Sequence, residues 1–199
     1  MSKAEPKVHN AIDMLIDDHN KVKELFDQFD KAEGRQKKKR IAAHALAELK
    51  VHAAIEEELF YPVVRQQIDD SEGIMDEADE EHHVAKVLIA ELDRMSGKEE
   101  HWEAKFTVLA ENIRHHIKEE ENDMLPEAER TDTDFDLLGE RMWALKQKLQ
   151  KHGVPPDAEA LMIKKCGLRG DSPAKKATKK VIIPTKPRSV IRSLLHAAV

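Results

Sequence analysis

Two short stretches of this sequence place a carboxylate one helical turn after a histidine, in the same pattern. Residues 52–62 read HAAIEEELFYP and residues 116–126 read HIKEEENDMLP, so His52 and Glu56 are matched by His116 and Glu120, with a proline ten residues after each histidine. An acid–histidine pair lies upstream of each: Asp18-His19 precedes His52 by 33 residues, and Glu81-His82 precedes His116 by 34. On a helix, residues i and i+4 share a face about 6 Å apart. Each His-x3-Glu can therefore offer an imidazole and a carboxylate to a common metal pair. Imidazole suits iron, zinc, copper and nickel, whereas carboxylate suits harder ions and can bridge two of them. Four histidines with two glutamates and no thiolate fit non-haem iron and disfavour a structural zinc site.

The elements that must carry these residues are helical. Hydrophobic residues make up 40% of the chain and charged residues 36%, with only 7 Gly and 8 Pro, which favours long solvated helices. Aromatics at 4% argue against a sandwich or barrel. Apolar stripes of helical period run near 8–31 (Ile12, Leu15, Ile16, Val22, Phe26, Phe29), 35–69 (Ile41, Ala45, Leu49, Ile55, Leu59, Val63), 74–95 (Ala78, Ala85, Leu88, Ile89, Leu92) and 98–129 (Trp102, Phe106, Leu109, Ile113). Pro62 is expected to kink the second helix, because it lacks an N–H and clashes one turn back. His19, His52, Glu56, His82, His116 and Glu120 all continue or interrupt these stripes, so six polar side chains face a core. A buried carboxylate must be paired, neutralised or bound to metal. The internal repeat makes each half a helical hairpin, and two hairpins make an all-α, up-down-up-down four-helix bundle.

A fifth amphipathic segment, about 133–151, is expected to pack on the bundle, through Trp143 among others. The domain reading is thus 1–151 for the bundle with its fifth helix, 152–166 for a linker or short helix, and 167–199 for a basic low-complexity tail, expected to be disordered. From Lys164 onward there are ten Lys/Arg and one acid, whereas residues 1–163 carry a net charge of −15. Such a tail can bind nucleic acid through phosphate charge alone. It lacks interleaved aromatics, and the acidic body opposes it, so a solvated tail is the plainer expectation. The single Cys166 rules out an internal disulfide and fits a reducing compartment. No apolar run approaches 18 residues, and no membrane association is expected. The chain reads as a cytoplasmic protein, a monomer or weak oligomer.

The pattern of His, then His-x3-Glu, repeated once, resembles the hemerythrin-like HHE cation-binding family over roughly residues 8–130. The resemblance implies a non-haem centre of two iron ions. It makes His19, His52, His82 and His116 terminal ligands and Glu56 and Glu120 the bridges. One position departs: oxygen-carrying hemerythrins have a second histidine one turn after the third-helix ligand, and here that residue is Lys86. This shifts the expectation from oxygen carriage to a site that meets dioxygen, nitric oxide or peroxide in sensing or stress defence. Catalase-like peroxide decomposition, with Lys86 or Tyr61 as proton carrier, is the enzymatic alternative. An iron buffer, or a nucleic-acid-associated protein working through the tail, is the third.

Other residues carry plainer expectations. His9, His44, His101 and His196 read as surface or rim residues, and His82 is preferred over His83 by its spacing to Leu88. Asp18 and Glu81 read either as acceptors of imidazole N–H or as solvated acids. Glu57, Glu58, Glu119 and Glu121 read as a solvated face, Tyr61 as packing in preference to an approach to the metal end of the core, and Met75, Met95, Met124 and Met142 as core filler.

Overall fold

The computed structural model describes residues 9–68 and 72–166. The expected basic tail, 167–199, lies outside the described residues. All regular structure among the described residues is helical: α1 (Ala11–Lys31), α2 (Arg35–Ile55), α3 (Tyr61–Gln67), α4 (Glu72–Asp93), α5 (Trp102–Glu119), α6 (Leu125–Ala128), α7 (Phe135–His152) and α8 (Ala158–Lys165). No helix among them is long and apolar enough to cross a membrane. Starts are fixed by side-chain caps. Asn10 accepts from the backbone N–H of Ile12 and Asp13, Asp134 from that of Leu137, and Asp157 from that of Ala160.

The second and fourth segments are not simply kinked helices. Between α2 and α3, residues Glu56–Phe60 form a π turn, in which the N–H of Tyr61 reaches the carbonyl of Glu56. Between α5 and α6, Glu120–Met124 does the same, with the N–H of Leu125 on the carbonyl of Glu120. Each proline follows its π turn by one residue and opens the next helical segment. The missing proline N–H costs nothing there. The repeat thus extends from residue types to backbone form, and each π turn begins on a glutamate of the His-x3-Glu pair.

Packing builds two apolar clusters with the polar residues between them. In one, Val22–Phe29 from the end of α1 and Leu92 of α4 meet Ala42–Leu49 and Trp102–Leu109 from the beginnings of α2 and α5. In the other, Ile12 and Leu15 meet Ile55, Phe60, Tyr61, Met75, Met124 and α7's Leu138 and Met142. His19, His52, Glu56, His82, His116 and Glu120 are all buried at the level that joins the clusters. The fold is an all-α bundle of the expected class, and all four named methionines are buried in its core.

Helix α7 packs on α1 and α2, and α8 on α4. Trp143 takes part only at the rim: it stays 36% exposed and stacks on His9, just before α1, at 4.3 Å. Leu138, Met142 and Leu149 are buried instead, and so is Lys146. The start of α1 comes so close that a Cβ on Gly139 would lie 1.8 Å from the His9 carbonyl oxygen and 2.7 Å from the Ala11 nitrogen. Both neighbours are backbone, so neither can rotate away. In a free helix, alanine is favoured over glycine by about 1 kcal/mol. Here the clash decides the sign. Gly139→Ala is expected to destabilise the chain by about 1–3 kcal/mol, read as a lower midpoint in urea; a stabilised variant would contradict this contact.

Candidate metal centre

The site begins with four imidazoles set at one level by α1, α2, α4 and α5. Their Nε2 atoms point inward and meet in pairs: His19 to His52 at 3.2 Å, and His82 to His116 at 3.1 Å. Their Nδ1 atoms point outward, each toward a carboxylate. His19 Nδ1 is 3.1 Å from Glu121 Oε1, His82 Nδ1 is 2.8 Å from Glu57 Oε1, and His116 Nδ1 is 2.7 Å from Glu81 Oε2. His52 Nδ1 faces Asp18 Oδ2 at 3.7 Å, too far for a hydrogen bond. A carboxylate only accepts, so a hydrogen-bonded Nδ1 carries the proton and a neutral ring is left with its Nε2 lone pair facing inward. That is how metal-binding histidines are oriented.

The acids that hold the rings follow the repeat, crosswise. His19 and His82 are held from the opposite half, each by the residue directly after a buried glutamate. His52 and His116 face the residue directly before the first histidine of their own half. Lysines complete the pattern. Lys23, four residues after His19, bonds Glu121 at 2.9 Å, and Lys86, four residues after His82, bonds Glu57 at 2.6 Å. Lys146 from α7 holds Asp18. Glu57 is exposed and Glu121 half-buried, yet both reach a ring; Glu81 resolves as an acceptor of imidazole N–H, and Asp18 faces its ring beyond hydrogen-bond distance. The doubled glutamate in His-x3-Glu-Glu was the signal for Glu57 and Glu121. Nothing in the α7 pattern marked Lys146.

Glu56 and Glu120 lie fully inside. His52 Nε2 is 3.1 Å from Glu56 Oε1, and His82 Nε2 is 3.6 Å from Glu56 Oε2. Glu120 Oε2 is 3.2 Å from His19 Nε2 and 3.4 Å from His116 Nε2. Both glutamates thus touch one histidine from each half. The donors fall into two groups whose ligand atoms lie within 4.8 Å of one another: His19, His52, Glu56 and Glu120, and Glu56, His82 and His116. Despite the short distances, both oxygens of Glu56, Oε2 of Glu120 and Nδ1 of His52 have no aligned hydrogen-bond partner. Orphaned buried carboxylate oxygens cost several kcal/mol each unless a cation meets them. The donor set therefore fits a pair of cations. His83, by contrast, is exposed and pairs with Glu159 of α8 at 2.8 Å.

Tyr61 breaks the two-fold pattern, since its counterpart in the second repeat is Leu125. Its hydroxyl donates to Glu120 Oε1 at 2.9 Å and lies 3.0 Å from His82 Nε2 and 3.4 Å from His116 Nε2. Of the two expectations for Tyr61, plain packing gives way to approach to the centre: the π turn closes residue 61 over residue 56 and carries the phenol inward.

Charge in this cavity is balanced by protons when no cation is present. Burial alone would depress the His52 imidazolium, but the Glu56 and Asp18 carboxylates outweigh it and push it up to about 10. Against the same opposition, Glu120 and Glu81 push His116 up to about 9. Burial would raise Glu120; the histidines around it hold it far below the ordinary carboxylate range. Asp18 and Glu57 are likewise lowered against burial, by His52 with Lys146 and by His82 with Lys86. Burial, with the charges of Glu120 and Glu56, raises Tyr61 well above its usual value, so it keeps its proton.

Comparison with known proteins agrees with this geometry. The family model for the hemerythrin HHE cation-binding domain matches residues 10–128. The chain is similar to the crystal structure of a hemerythrin HHE cation-binding domain-containing protein from Mycobacterium kansasii. That likeness has a TM-score of 0.60 at 25% identity, covering 77% of this chain and 98% of the other. It is also 29% identical over 113 residues to a DNA nickase from Nostoc sp., which is 57% of this chain but 32% of that protein. The chain thus spans about a third of that relative's length. With the family model spanning more than half its length and enclosing all six buried donors, the chain belongs to the hemerythrin HHE cation-binding domain family.

Proposed function

We propose that His19, His52, Glu56, His82, His116 and Glu120 hold two iron ions, and that the protein acts by meeting a small redox molecule there: dioxygen, nitric oxide or peroxide. The observation that carries this reading is the convergence of four Nε2 atoms on two glutamates of which both oxygens of Glu56 and Oε2 of Glu120 are orphaned. Iron fits the mixed nitrogen–oxygen set and, when bound, supplies redox change and open coordination positions. The protein's own part is to aim the rings, exclude water and limit what enters. A cavity of about 20 Å³ lies against all four histidines, walled by Val22, Leu49, Ala85, Ile89, Ile113 and Ile117 among others. Space of that size suits a molecule of a few atoms.

Peroxide decomposition is the enzymatic form of this reading, and Tyr61 favours it. In disproportionation one peroxide is reduced to water while another is oxidised to dioxygen, and protons must be moved between them. Tyr61 keeps its proton and reaches the donors, whereas Lys86 is committed to Glu57. Association with DNA is a weaker reading. It draws only on the tail's charge and on a relative named for nicking DNA, of which this chain spans a third.

Anaerobic loading is expected to place two irons per chain, with a visible charge-transfer band on adding dioxygen, nitric oxide or peroxide; one tightly held zinc would refute the two-iron site. Glu56→Ala should lose that stoichiometry. If Tyr61 hands on protons, Tyr61→Phe should keep the iron and lower peroxide turnover by about 10²-fold; undiminished turnover removes Tyr61 from that role.

A pH dependence follows for the metal-free chain. Raised histidines stabilise the fold fully below their unfolded value of 6.5, and this is lost as pH rises through about 9 to 10. The metal-free melting temperature should therefore fall between pH 7 and pH 10. The iron-loaded chain should melt higher at pH 7 and lose less over that range. Equal melting of both forms at every pH would argue against a buried metal pair.

A further inference from the structure

The buried donors lie beside an acidic pocket on one side of the bundle. Between α4, α5, the second π turn and α6 lies a cavity of about 220 Å³, lined by Glu77, Glu81, Glu119, Asp123 and Glu127, with Glu120 in its wall. No lysine or arginine is among its lining residues. Acids alone would mean little, since acidic helix faces are common. Here the wall also contains Glu120, which is 1% exposed and whose Oε2 has no hydrogen-bond partner. The pocket thus runs from solvent to a buried carboxylate whose Oε2 accepts no hydrogen bond.

A chain of ligand atoms marks the path. The exposed His115, outside the lining itself, has its Nε2 3.1 Å from Glu119 Oε1 and 3.8 Å from Glu81 Oε1, both acids of the pocket wall. The ligand atoms of these three residues lie within 4.8 Å of one another. The other oxygen of Glu81 lies 2.7 Å from Nδ1 of the buried His116. One carboxylate therefore joins the outer trio to the inner ring. The larger cavity between α2, α4 and residues 154–157 is of mixed sign: Lys50 and Lys86 stand in its lining among Glu57, Glu58, Asp93 and Asp157, so its wall lacks the single charge sign of the first pocket.

We propose that the acidic pocket is the route by which a divalent cation reaches the buried donors, and that Glu81, His115 and Glu119 hold it at the mouth. The proposal rests on the metal-binding reading above. A concave wall of one charge sign raises the local concentration of the opposite ion and its on-rate by about 10- to 10³-fold. At an ionic strength near 0.1 M the effect is screened beyond about 10 Å.

The test is the rate at which the metal-free full chain takes up cobalt(II), followed by visible absorption in a stopped-flow instrument. Glu77→Gln, Asp123→Asn and Glu127→Gln combined should slow uptake about 10-fold or more at low salt, with the final cobalt per chain unchanged. The gap should narrow as salt is added. Glu58→Gln with Asp93→Asn, which removes charge from the other cavity, should load like the parent chain. His115→Gln leaves every carboxylate in place, and slower uptake in it would support the mouth site; an unchanged rate overturns the mouth site. Equal rates in the combined variant and the parent overturn the route. A parent chain that takes up no cobalt overturns the metal-binding reading, and this proposal with it.

Discussion

Everything in this bundle answers to the burial of two carboxylates. Glu56 and Glu120 sit at the middle of an apolar interior, each with at least one oxygen that no donor satisfies. The cost of that arrangement is comparable to the whole net stability of a small domain. It is tolerable only because positive charge is brought to the same place. His52 and His116, raised above their ordinary range, supply it through protons, and all four imidazoles are placed to hold a cation that would deliver it. Outer acids then face those imidazoles, and Lys23, Lys86 and Lys146 pair with Glu121, Glu57 and Asp18. Each layer exists because the one inside it would otherwise be unstable.

The layers also explain why the two halves interlock. Had each half held its own histidines with its own acids, the hairpins could slide past one another at small electrostatic cost. Instead His19 depends on Glu121 and His82 on Glu57, so two of the four rings are oriented only when the halves are docked. Helix α7 adds a further tie through Lys146 on Asp18. The fifth helix is therefore coupled electrostatically to the centre as well as packed on the bundle.

The six inner residues were legible because duplication and helical period spoke together. Any single histidine among eleven would have been weak, but two His-x3-Glu pairs on core-facing stripes are not. The acids around them were harder. Glu57 follows Glu56 by one position, about 100° around a helix, so within its own helix it faces the edge and reads as solvated. Its partner, His82, belongs to the other half, and only tertiary docking brings them together. The π turns were hidden for another reason. Residue preferences report i→i+4 helix and its breaking by proline, and carry little about an i→i+5 closure. Tyr61 was misjudged in consequence. In a regular helix it would point about 140° away from Glu56, whereas the π turn brings it back over the same face.

Lys86 takes on a different meaning once the symmetry is seen. Compared with oxygen-carrying hemerythrins, it looks like a lost ligand. Compared with Lys23, it is the matching half of a pair that anchors the outer acids. The centre is nonetheless uneven, because one donor group has four members and the other only Glu56, His82 and His116. Tyr61 stands beside this smaller group, within 3.0 Å of His82 and 3.4 Å of His116. Lys86 fixes His82 through Glu57 and cannot turn inward without releasing it. On the two-iron reading, then, the side with fewer protein donors is also the side that carries a neutral hydroxyl. A carrier of intact dioxygen has no need of such a proton, whereas reduction of a bound oxygen species does. On that reading the hydroxyl speaks for a reactive centre over a storage one, and it comes from one residue, tyrosine where the repeat has leucine.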